Sequence, residues 1–428
     1  MSVRLACVLT LQKILEDKVF FGTLKDSFKP QDKAFANFLI LTALRRKTVI
    51  DQMLNAMLSK KIPNKSRILN YVLLSGSVEL LYSNTPDYAV INEYVTIAKK
   101  LTDLFSSRMV NAVLRKAALK REQMQSAAEF PENFRQILKA DYTEQQIQKM
   151  ESMLCCEPPL DISVKENPVF WADTLNGTIF ENGTIRLYNA KTGVNQLRGY
   201  EDGAWWVQDL AASLPVCFMQ DLSGKKVLDL CAAPGGKTAQ LLSKGAFVTA
   251  VDINSERLQT LKENISRLKS ESNLSVVCAD GVEYLKQTNK TFDIILLDAP
   301  CSATGTFRKH PEVLYLKTFD DVKKQLTVQQ TLLSQAAAHI KPNGLLFYAT
   351  CSLSKAEGEE QAKAFLAQHP DFALWPLSET MLQKYPAKKL DENMIDKQVL
   401  RTLPYHNKND GGADGFFCAA FKRINKGE

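Results

Sequence analysis

The chain has 428 residues, which is too long for one ordinary hydrophobic core, so two or three domains are expected. Its 54 Lys and Arg against 47 Asp and Glu give a net charge of +7, which is compatible with a polyanionic partner but does not require one. Nine cysteines without a C-x-x-C pair argue against a secreted disulfide framework, and the four histidines lack the spacing of a zinc site. No segment approaches the roughly 20 apolar residues of a membrane span. A cytoplasmic protein without metal is therefore expected.

Residues 1–145 show helical patterns and few strand signals. In "PDYAVINEYVTIAKKLTD", Ile91, Tyr94 and Ala98 recur at helical spacing, and the pattern begins just after a proline. The segments "KSRILNYVLLSGSVELLY" and "KAFANFLILTALRRKTVIDQMLNAML" follow the same pattern. This part of the chain is predicted to be an all-helical domain whose apolar stripes form its core.

Residues 146–215 show a different sequence pattern, with short extended segments such as "LDISVKEN" and "TIRLYNA" and the turn "ENGT". They predict a small α+β module. Its adjacent tryptophans, Trp205 and Trp206, have three open roles: core, a base-stacking platform or a lid. Core is the preferred interpretation.

Residues 216–428 alternate regularly between apolar strands and helices. The strands are "KKVLDLCA", "FVTAVDI", "LSVVCAD", "FDIILLDA" and "GLLFYATCS", and "FALWPL" and "GFFCAAFKR" offer two more. Strands that are almost continuously apolar and are separated by helices belong to a parallel sheet covered on both faces. The prediction is a doubly wound, Rossmann-like α/β domain.

A glycine-containing loop, "CAAPGGKT", follows the first strand of this domain and opens a helix. Gly235 and Gly236 would let backbone amides approach a ligand at the helix start. A phosphate-binding P-loop is excluded because Cys231 stands where that motif needs glycine, and no G-x-G-x-x-G fingerprint is present. The loop therefore predicts a nucleoside ligand without a phosphate signature.

Two acids at strand ends complete this ligand pattern. Asp252 lies about 20 residues after the loop, where a carboxylate accepts ribose hydroxyls. Asp280 ends the third strand and could accept from an adenine amino group, although either acid could instead cap the following helix. Because adenosine without phosphates fits these parts, S-adenosylmethionine is the predicted cofactor.

Two cysteines follow consecutive strands, Cys301 in "DAPCSATG" and Cys351 in "YATCSL". If these strands pair side by side, both thiols face the cofactor crevice. A thiol near a methyl donor suggests alkylation of pyrimidine carbon 5: a thiolate adds to carbon 6, carbon 5 takes the methyl group, and a base then removes the carbon 5 proton. Asp298 could hydrogen-bond the base and Lys237 could orient the base or the cofactor, whereas spacing alone leaves open which thiol attacks.

The motifs "DLCAAPGGKT", "VDIN", "ADG", "LLDAPCSATGTFRKHPE" and "YATCSL" occur in this order and resemble the NOL1/NOP2/Sun family of RNA 5-methylcytosine methyltransferases. The segments "SVELLYSNTPDYAVINEYVTIAKKL" and "SSRMVNAVLRKA" resemble the NusB-type helical RNA-binding module. The resemblance implies a NusB-like domain over 1–145, a small α+β module over 146–215 and a class I methyltransferase domain over 216–428. It also implies a cytosine of small-subunit ribosomal RNA as substrate.

The resemblance carries family roles to matching residues. Cys351 would be the nucleophile and Cys301 would assist product release, with Asp298 and Lys237 as further catalytic residues. The implied cofactor contacts are Cys231, Ala232, Ala233, Pro234, Gly235, Gly236, Lys237, Asp252, Asp280 and Asp298.

The expected partner is RNA with a single-stranded or looped cytosine, bound by a monomer without membrane or metal. Arg308, Lys309 and His310, beside the Cys301 loop, are predicted phosphate contacts. One rival hypothesis is a non-catalytic RNA-binding ribosome assembly factor, or a methyltransferase that acts on another RNA. The other is a DNA cytosine methyltransferase, in which Cys301 would attack.

Overall fold

In the computed structural model, the described residues are 1–22, 28–188, 193–378, 382, 385 and 387–424. The chain divides into two units. The first contains Met1–Glu157 and Phe307–Thr318, and the second contains Pro158–Thr306 and Phe319–Glu428.

The first unit is helical. Its helices before residue 157 are α1 (Val3–Glu16), α2 (Pro30–Met57), α3 (Ile68–Tyr82), α4 (Asp87–Leu101), α5 (Leu104–Ala118), α6 (Arg121–Gln125), α7 (Glu132–Lys139) and α8 (Glu144–Ser152). Helix α3 is buried from Val72 to Leu81, as expected for the central helix of a bundle. Ile91, Tyr94 and Ala98 of α4 are buried on one face, so the helical prediction for this region is confirmed.

The second unit begins with an antiparallel sheet. Its elements are β1 (Leu160–Val164), α9 (Pro168–Thr174), β2 (Thr178–Ile179), β3 (Ile185–Leu187) and β4 (Trp205–Val207), and the strand order is β2-β3-β1-β4. Trp205 and Trp206 are 0% and 4% exposed, which confirms that both are core residues.

A buried ion pair explains why this small sheet belongs to the second unit. Arg186 donates to both carboxylate oxygens of Asp161 at 2.6 and 2.7 Å, and to the carbonyl of Asp410 at 2.7 Å. The Asp161 carboxylate also accepts from the backbone amide of Leu210 at 3.1 Å. The predicted 146–215 module is thereby joined to elements that lie later in the chain.

The remaining elements are the strands of the large sheet of the second unit and the helices that connect them. They are α10 (Leu210–Cys217), β5 (Lys226–Leu230), α11 (Gly236–Ser243), β6 (Phe247–Asp252), α12 (Ser255–Arg267), β7 (Leu274–Cys278), α13 (Gly281–Gln287), β8 (Phe292–Asp298), α15 (Phe319–Ala338), β9 (Ile340–Thr350), α16 (Glu359–Gln368), β10 (Phe372–Trp375), β11 (Ile395–Asp396), β12 (Val399–Thr402) and β13 (Phe416–Arg423). Over the described residues the order is β11-β12-β13-β9-β8-β5-β6-β7, and β10 pairs with β13.

The parallel part of this sheet confirms the doubly wound prediction. Strands β7, β6, β5, β8 and β9 are parallel neighbours, whereas β13 runs antiparallel to β9. The chain moves from β5 through β6 to β7 on one side and returns to β8 and β9 on the other. The strand order therefore reverses between β5 and β8, where open α/β sheets bind ligands.

The segment Phe307–Thr318, which includes α14 (Val313–Leu316), belongs to the first unit. Phe307 is fully buried, and its ring lies 5.0 Å from Phe130 and 6.1 Å from Phe134. The Tyr315 hydroxyl donates to the carbonyl of Leu44 at 3.0 Å. The predicted boundaries assign this segment to 216–428. The structure differs because these aromatic side chains complete the core of the helical unit.

None of the described helices combines the length and the apolar character that a bilayer crossing requires.

Candidate active site

The predicted site residues of the second unit gather where β5 to β9 end. The loop Cys231–Lys237 follows β5, Asp252 ends β6, Asp280 follows β7, and Asp298 ends β8. This edge lies at the point where the strand order reverses. The fold thus collects residues from distant parts of the chain, because the carboxyl ends of parallel strands share one edge.

The two thiols meet at this edge. Strands β8 and β9 pair in parallel with Asp298 opposite Ala349, and Cys301 and Cys351 follow these two positions closely. Their sulfur atoms are 3.4 Å apart and both residues are half-buried. The amide of Gly305 donates to the carbonyl of Cys351 at 2.9 Å, which joins the two loops directly. The predicted juxtaposition of the thiols is confirmed.

The surroundings of Cys301 disfavour its charged form. Hydrogen bonding of Cys301 to Cys351, burial and the nearby Glu357 carboxylate together hold the pKa of the Cys301 thiol well above its usual value. The contact between the sulfurs is symmetric, because either thiol can donate to the other. The geometry therefore brings the two thiols together, and which one attacks stays a prediction.

Lys237 and Asp298 form an ion pair beside the thiols. Lys237, in the first turn of α11, donates to an Asp298 carboxylate oxygen at 2.7 Å, and its ammonium lies 5.0 Å from the ring centre of Phe416. Burial lowers the pKa of Lys237, but the Asp298 carboxylate and the Cys351 sulfur outweigh burial and leave this pKa raised. The pair thus places one fixed positive charge and one carboxylate at the crevice.

The loop between β5 and α11 has the backbone shape that its glycines predict. Gly235 has φ +102° and precedes the first residue of α11. A Cβ there would also come within 2.8 Å of Leu261, so a side chain is excluded on both grounds. At Gly236, by contrast, a Cβ would come no nearer than 3.9 Å to its nearest neighbour, the Gln208 side chain, which is ordinary van der Waals contact.

Asp252 holds this loop against the next strand. One carboxylate oxygen accepts from the amide of Ala233 at 3.1 Å, and the other accepts from the amide of Asn254 at 3.0 Å. The residue is only 4% exposed. Each oxygen of an ionised carboxylate has a further lone pair, so these contacts leave acceptor capacity for a ribose hydroxyl.

Asp280 is the N-cap of α13. One of its oxygens accepts from the amides of Val282 and Glu283 at 2.9 and 3.1 Å, and the residue is exposed. The contacts of Asp280 within the chain are therefore those of a helix cap, which was the alternative interpretation. A contact between Asp280 and the cofactor stays a prediction.

A substitution separates these two roles. We expect Asp280→Ser to keep the cap, so that the free energy of unfolding changes by less than about 0.5 kcal/mol. If the carboxylate also binds the cofactor, affinity for S-adenosylmethionine should fall about tenfold. Calorimetric titration and urea denaturation measure the two quantities. The matched control is Asp103→Ser at the N-cap of α5, and equal affinities of all three proteins would contradict the cofactor role.

Asp229, the fourth of the five residues of β5, is a buried carboxyl that sequence analysis missed. It is 0% exposed and accepts from the Thr238 hydroxyl at 2.6 Å. Burial raises the pKa of Asp229 to about 7, and the Thr238 hydrogen bond opposes this shift only in part. The sequence does carry a signal for Asp229, which is an acidic residue within an apolar strand. Such residues are rarely buried unless they have a function or a partner.

The raised pKa of Asp229 predicts a pH dependence of stability. The unfolded chain loses this proton near pH 4, whereas the folded protein keeps it to about pH 7, so the folded state binds more protons between these values. The free energy of unfolding should therefore fall as the pH rises from 4 to 7. Asp229→Asn should flatten this decline by a few kcal/mol in urea denaturation at each pH. Parallel curves for the two proteins would contradict the assignment.

The structure corrects one predicted RNA contact. Arg308 is 1% exposed within the helical unit, and its carbonyl accepts from Arg45 at 3.1 Å. It is therefore not available to a phosphate. His310 is exposed and its ring lies 3.5 Å from Glu312, so the prediction stands for Lys309 and His310 only.

Within the described ranges, no group of three His, Cys, Asp or Glu side chains is arranged to hold a metal ion.

Comparisons with known proteins agree with these features. The chain matches the NusB family over residues 1–119 and the family described as 16S rRNA methyltransferase RsmB/F over residues 217–422. Ribosomal RNA small subunit methyltransferase B of Serratia proteamaculans is 32% identical over 93% of this chain and 92% of its own length. The Vibrio cholerae protein of that name is 31% identical over 82% of this chain and 85% of its own length. The crystal structure of PH0851 covers 93% of the chain with a TM-score of 0.71 and 21% identity, which shows the fold.

Proposed function

The chain belongs to the ribosomal RNA small subunit methyltransferase B family, and from this premise we propose that it transfers a methyl group from S-adenosylmethionine to carbon 5 of a cytosine in small-subunit ribosomal RNA. The observation that carries the proposal is the 3.4 Å separation of the Cys301 and Cys351 sulfurs at the edge of the sheet where ligands bind. The helical unit is proposed to bind RNA, and the protein is proposed to act as a monomer in the cytoplasm.

The residues present fit S-adenosylmethionine. The left-handed backbone of Gly235 turns the chain into the start of α11, where backbone amides face a ligand, and Asp252 keeps acceptor capacity for a ribose. The proposed cofactor contacts are the loop Cys231–Lys237 with Asp252, Asp280 and Asp298. When bound, the cofactor supplies a methyl group on a positively charged sulfur.

The proposed reaction starts at Cys351. Its thiolate adds to carbon 6 of cytosine, and the electron pair displaced by this addition makes carbon 5 nucleophilic enough to accept the methyl group. A base then removes the carbon 5 proton, and the electron pair of that bond expels Cys351. Cys301, which is kept protonated beside Cys351, is the group proposed to assist this release.

Lys237 and Asp298 are proposed to stabilise the charge that develops on the base. Addition at carbon 6 places electron density on the ring, which N3 relieves by taking up a proton from water, and this proton is lost again when Cys351 is expelled. Asp298 is proposed to hydrogen-bond N3 and the exocyclic amine, and Lys237 is proposed to orient that carboxylate through their 2.7 Å contact. The target cytosine must leave any duplex to reach such a pocket.

Labelled S-adenosylmethionine and small-subunit ribosomal RNA test the function. We expect label in the RNA with the unaltered protein and none with Cys351→Ala, and bisulfite sequencing should place the label at 5-methylcytosine. RNA free of label with the unaltered protein would favour the non-catalytic assembly factor. Label in DNA only would favour the DNA methyltransferase.

A further inference from the structure

A buried carboxylate lies between the two thiol loops, and the reaction described above gives it no role. Glu357 is 0% exposed and sits in a single turn of helix just before α16. It lies two residues before the first residue of α16, and a glutamate near a helix start is ordinarily exposed to solvent. Removing a carboxylate from water is unfavourable unless hydrogen bonds replace the lost hydration, so its partners indicate what it does.

One set of partners belongs to the Cys301 loop. The first carboxylate oxygen of Glu357 accepts from the amide of Ser302 at 2.8 Å, and the second accepts from the Ser302 hydroxyl at 2.5 Å. Gln329 donates to the first oxygen at 3.0 Å and to the carbonyl of Pro300 at 2.9 Å. Glu357 therefore holds the residue after Cys301 directly and the residue before it through Gln329.

The other set belongs to the Cys351 loop. The second carboxylate oxygen accepts from the Ser352 hydroxyl at 2.6 Å, and the Glu357 carbonyl accepts from the Tyr348 hydroxyl at 2.7 Å. The Ser302 and Ser352 hydroxyls are 3.1 Å apart. One side chain thus binds the serine that follows each thiol, over sequence separations of 55 and 5 residues.

We propose that Glu357 is a positioning residue, which sets the contact between the Cys301 and Cys351 sulfurs by fixing the backbone of both loops. The hydrogen bonds show how Glu357 holds the two loops. That this arrangement serves catalysis rests on the proposed function. The hydrogen bonds of the Glu357 carboxylate go to the loops and to Gln329, so its proposed role is to position the thiols rather than to react. Its carboxylate also disfavours charge on Cys301, which agrees with the raised pKa of that thiol.

Glu357→Gln is the main test, because it keeps the shape of the side chain while it replaces one acceptor oxygen by a donor and removes the charge. We expect kcat for RNA methylation to fall about 100-fold, since small displacements of reacting groups have effects of this size. The KM for S-adenosylmethionine should change less than about twofold. Iodoacetamide alkylation of Cys301 at pH 8, followed by peptide mass spectrometry, should become several-fold faster because the thiol loses its negative neighbour.

Glu360→Gln is the matched control, an exposed glutamate in the first turn of α16 that should leave both measurements unchanged. Unchanged kcat or unchanged Cys301 alkylation in a folded Glu357→Gln protein would overturn the proposal, the latter because it would indicate a purely structural role. If Glu357→Gln does not fold, Ser352→Ala takes its place, with an expected loss of about tenfold in kcat. Unchanged kcat in that variant would equally overturn the proposal.

The alkylation measurement separates this proposal from the proposed function. It needs neither RNA nor methyl transfer, so it reports on Glu357 even if the unaltered protein methylates no RNA. In that case the proposed function fails, and the rate of Cys301 alkylation in Glu357→Gln alone decides whether Glu357 controls the thiol pair.

Discussion

Cys301→Ala is expected to accumulate a covalent complex between protein and RNA, whereas Cys351→Ala should form none and should lose methyl transfer by about 10⁴-fold or more. The physical reason is the proposed division of roles between two sulfurs that lie 3.4 Å apart, in which Cys351 attacks the base and Cys301 assists its release. Without Cys301, attack and methylation proceed but release is slow.

Denaturing electrophoresis of labelled ribosomal RNA, incubated with each variant and S-adenosylmethionine, measures the complex. Cys156→Ala is the control, because this exposed cysteine of the helical unit is remote in sequence from both loops and should behave as the unaltered protein. An adduct with Cys351→Ala and none with Cys301→Ala would reverse the roles. That pattern is the one a DNA cytosine methyltransferase would give.

Asp298→Asn is expected to lower kcat by about 10³-fold and, because Asp298 is also a proposed cofactor contact, to weaken cofactor binding by about tenfold. Asparagine cannot accept with the strength of a carboxylate, and it leaves the buried Lys237 ammonium without the partner that it contacts at 2.7 Å. Groups that handle developing charge or a proton in the transition state contribute about 10²–10⁴-fold. Steady-state methylation kinetics and calorimetric cofactor titration measure the two effects.

The same strand supplies a matched control for this substitution. Asp293 lies toward the opposite end of β8 and pairs with Lys341 at 2.8 Å, so Asp293→Asn removes a similar ion pair far from the crevice. We expect its kcat to stay within about twofold of that of the unaltered protein. Equal losses in the two variants would show that damage to β8, rather than the chemistry of Asp298, lowers the rate.

Much of the site follows from local sequence. Apolar strands alternating with helices predict a parallel sheet, and consecutive parallel strands place their ends side by side, so Cys301 and Cys351 meet because β8 and β9 are neighbours. The Cys231–Lys237 loop is equally local, because the left-handed backbone of Gly235 needs only its own residue type. The family resemblance added the roles of the two thiols, which spacing leaves open.

Other features depend on residues that no local pattern joins. Glu357 has its partner Ser302 55 positions away, and Arg308 is buried because the segment after the Cys301 loop completes the core of the helical unit. Asp280 has the sequence position of a cofactor contact, yet its contacts within the chain are those of a helix cap. The sequence by itself determined the sheet, the loop and the meeting of the thiols, because periodicity and strand order act between neighbouring elements. Only the tertiary structure decided which polar groups are buried and what they bind, because hydrogen-bond partners are set by positions in space rather than along the chain.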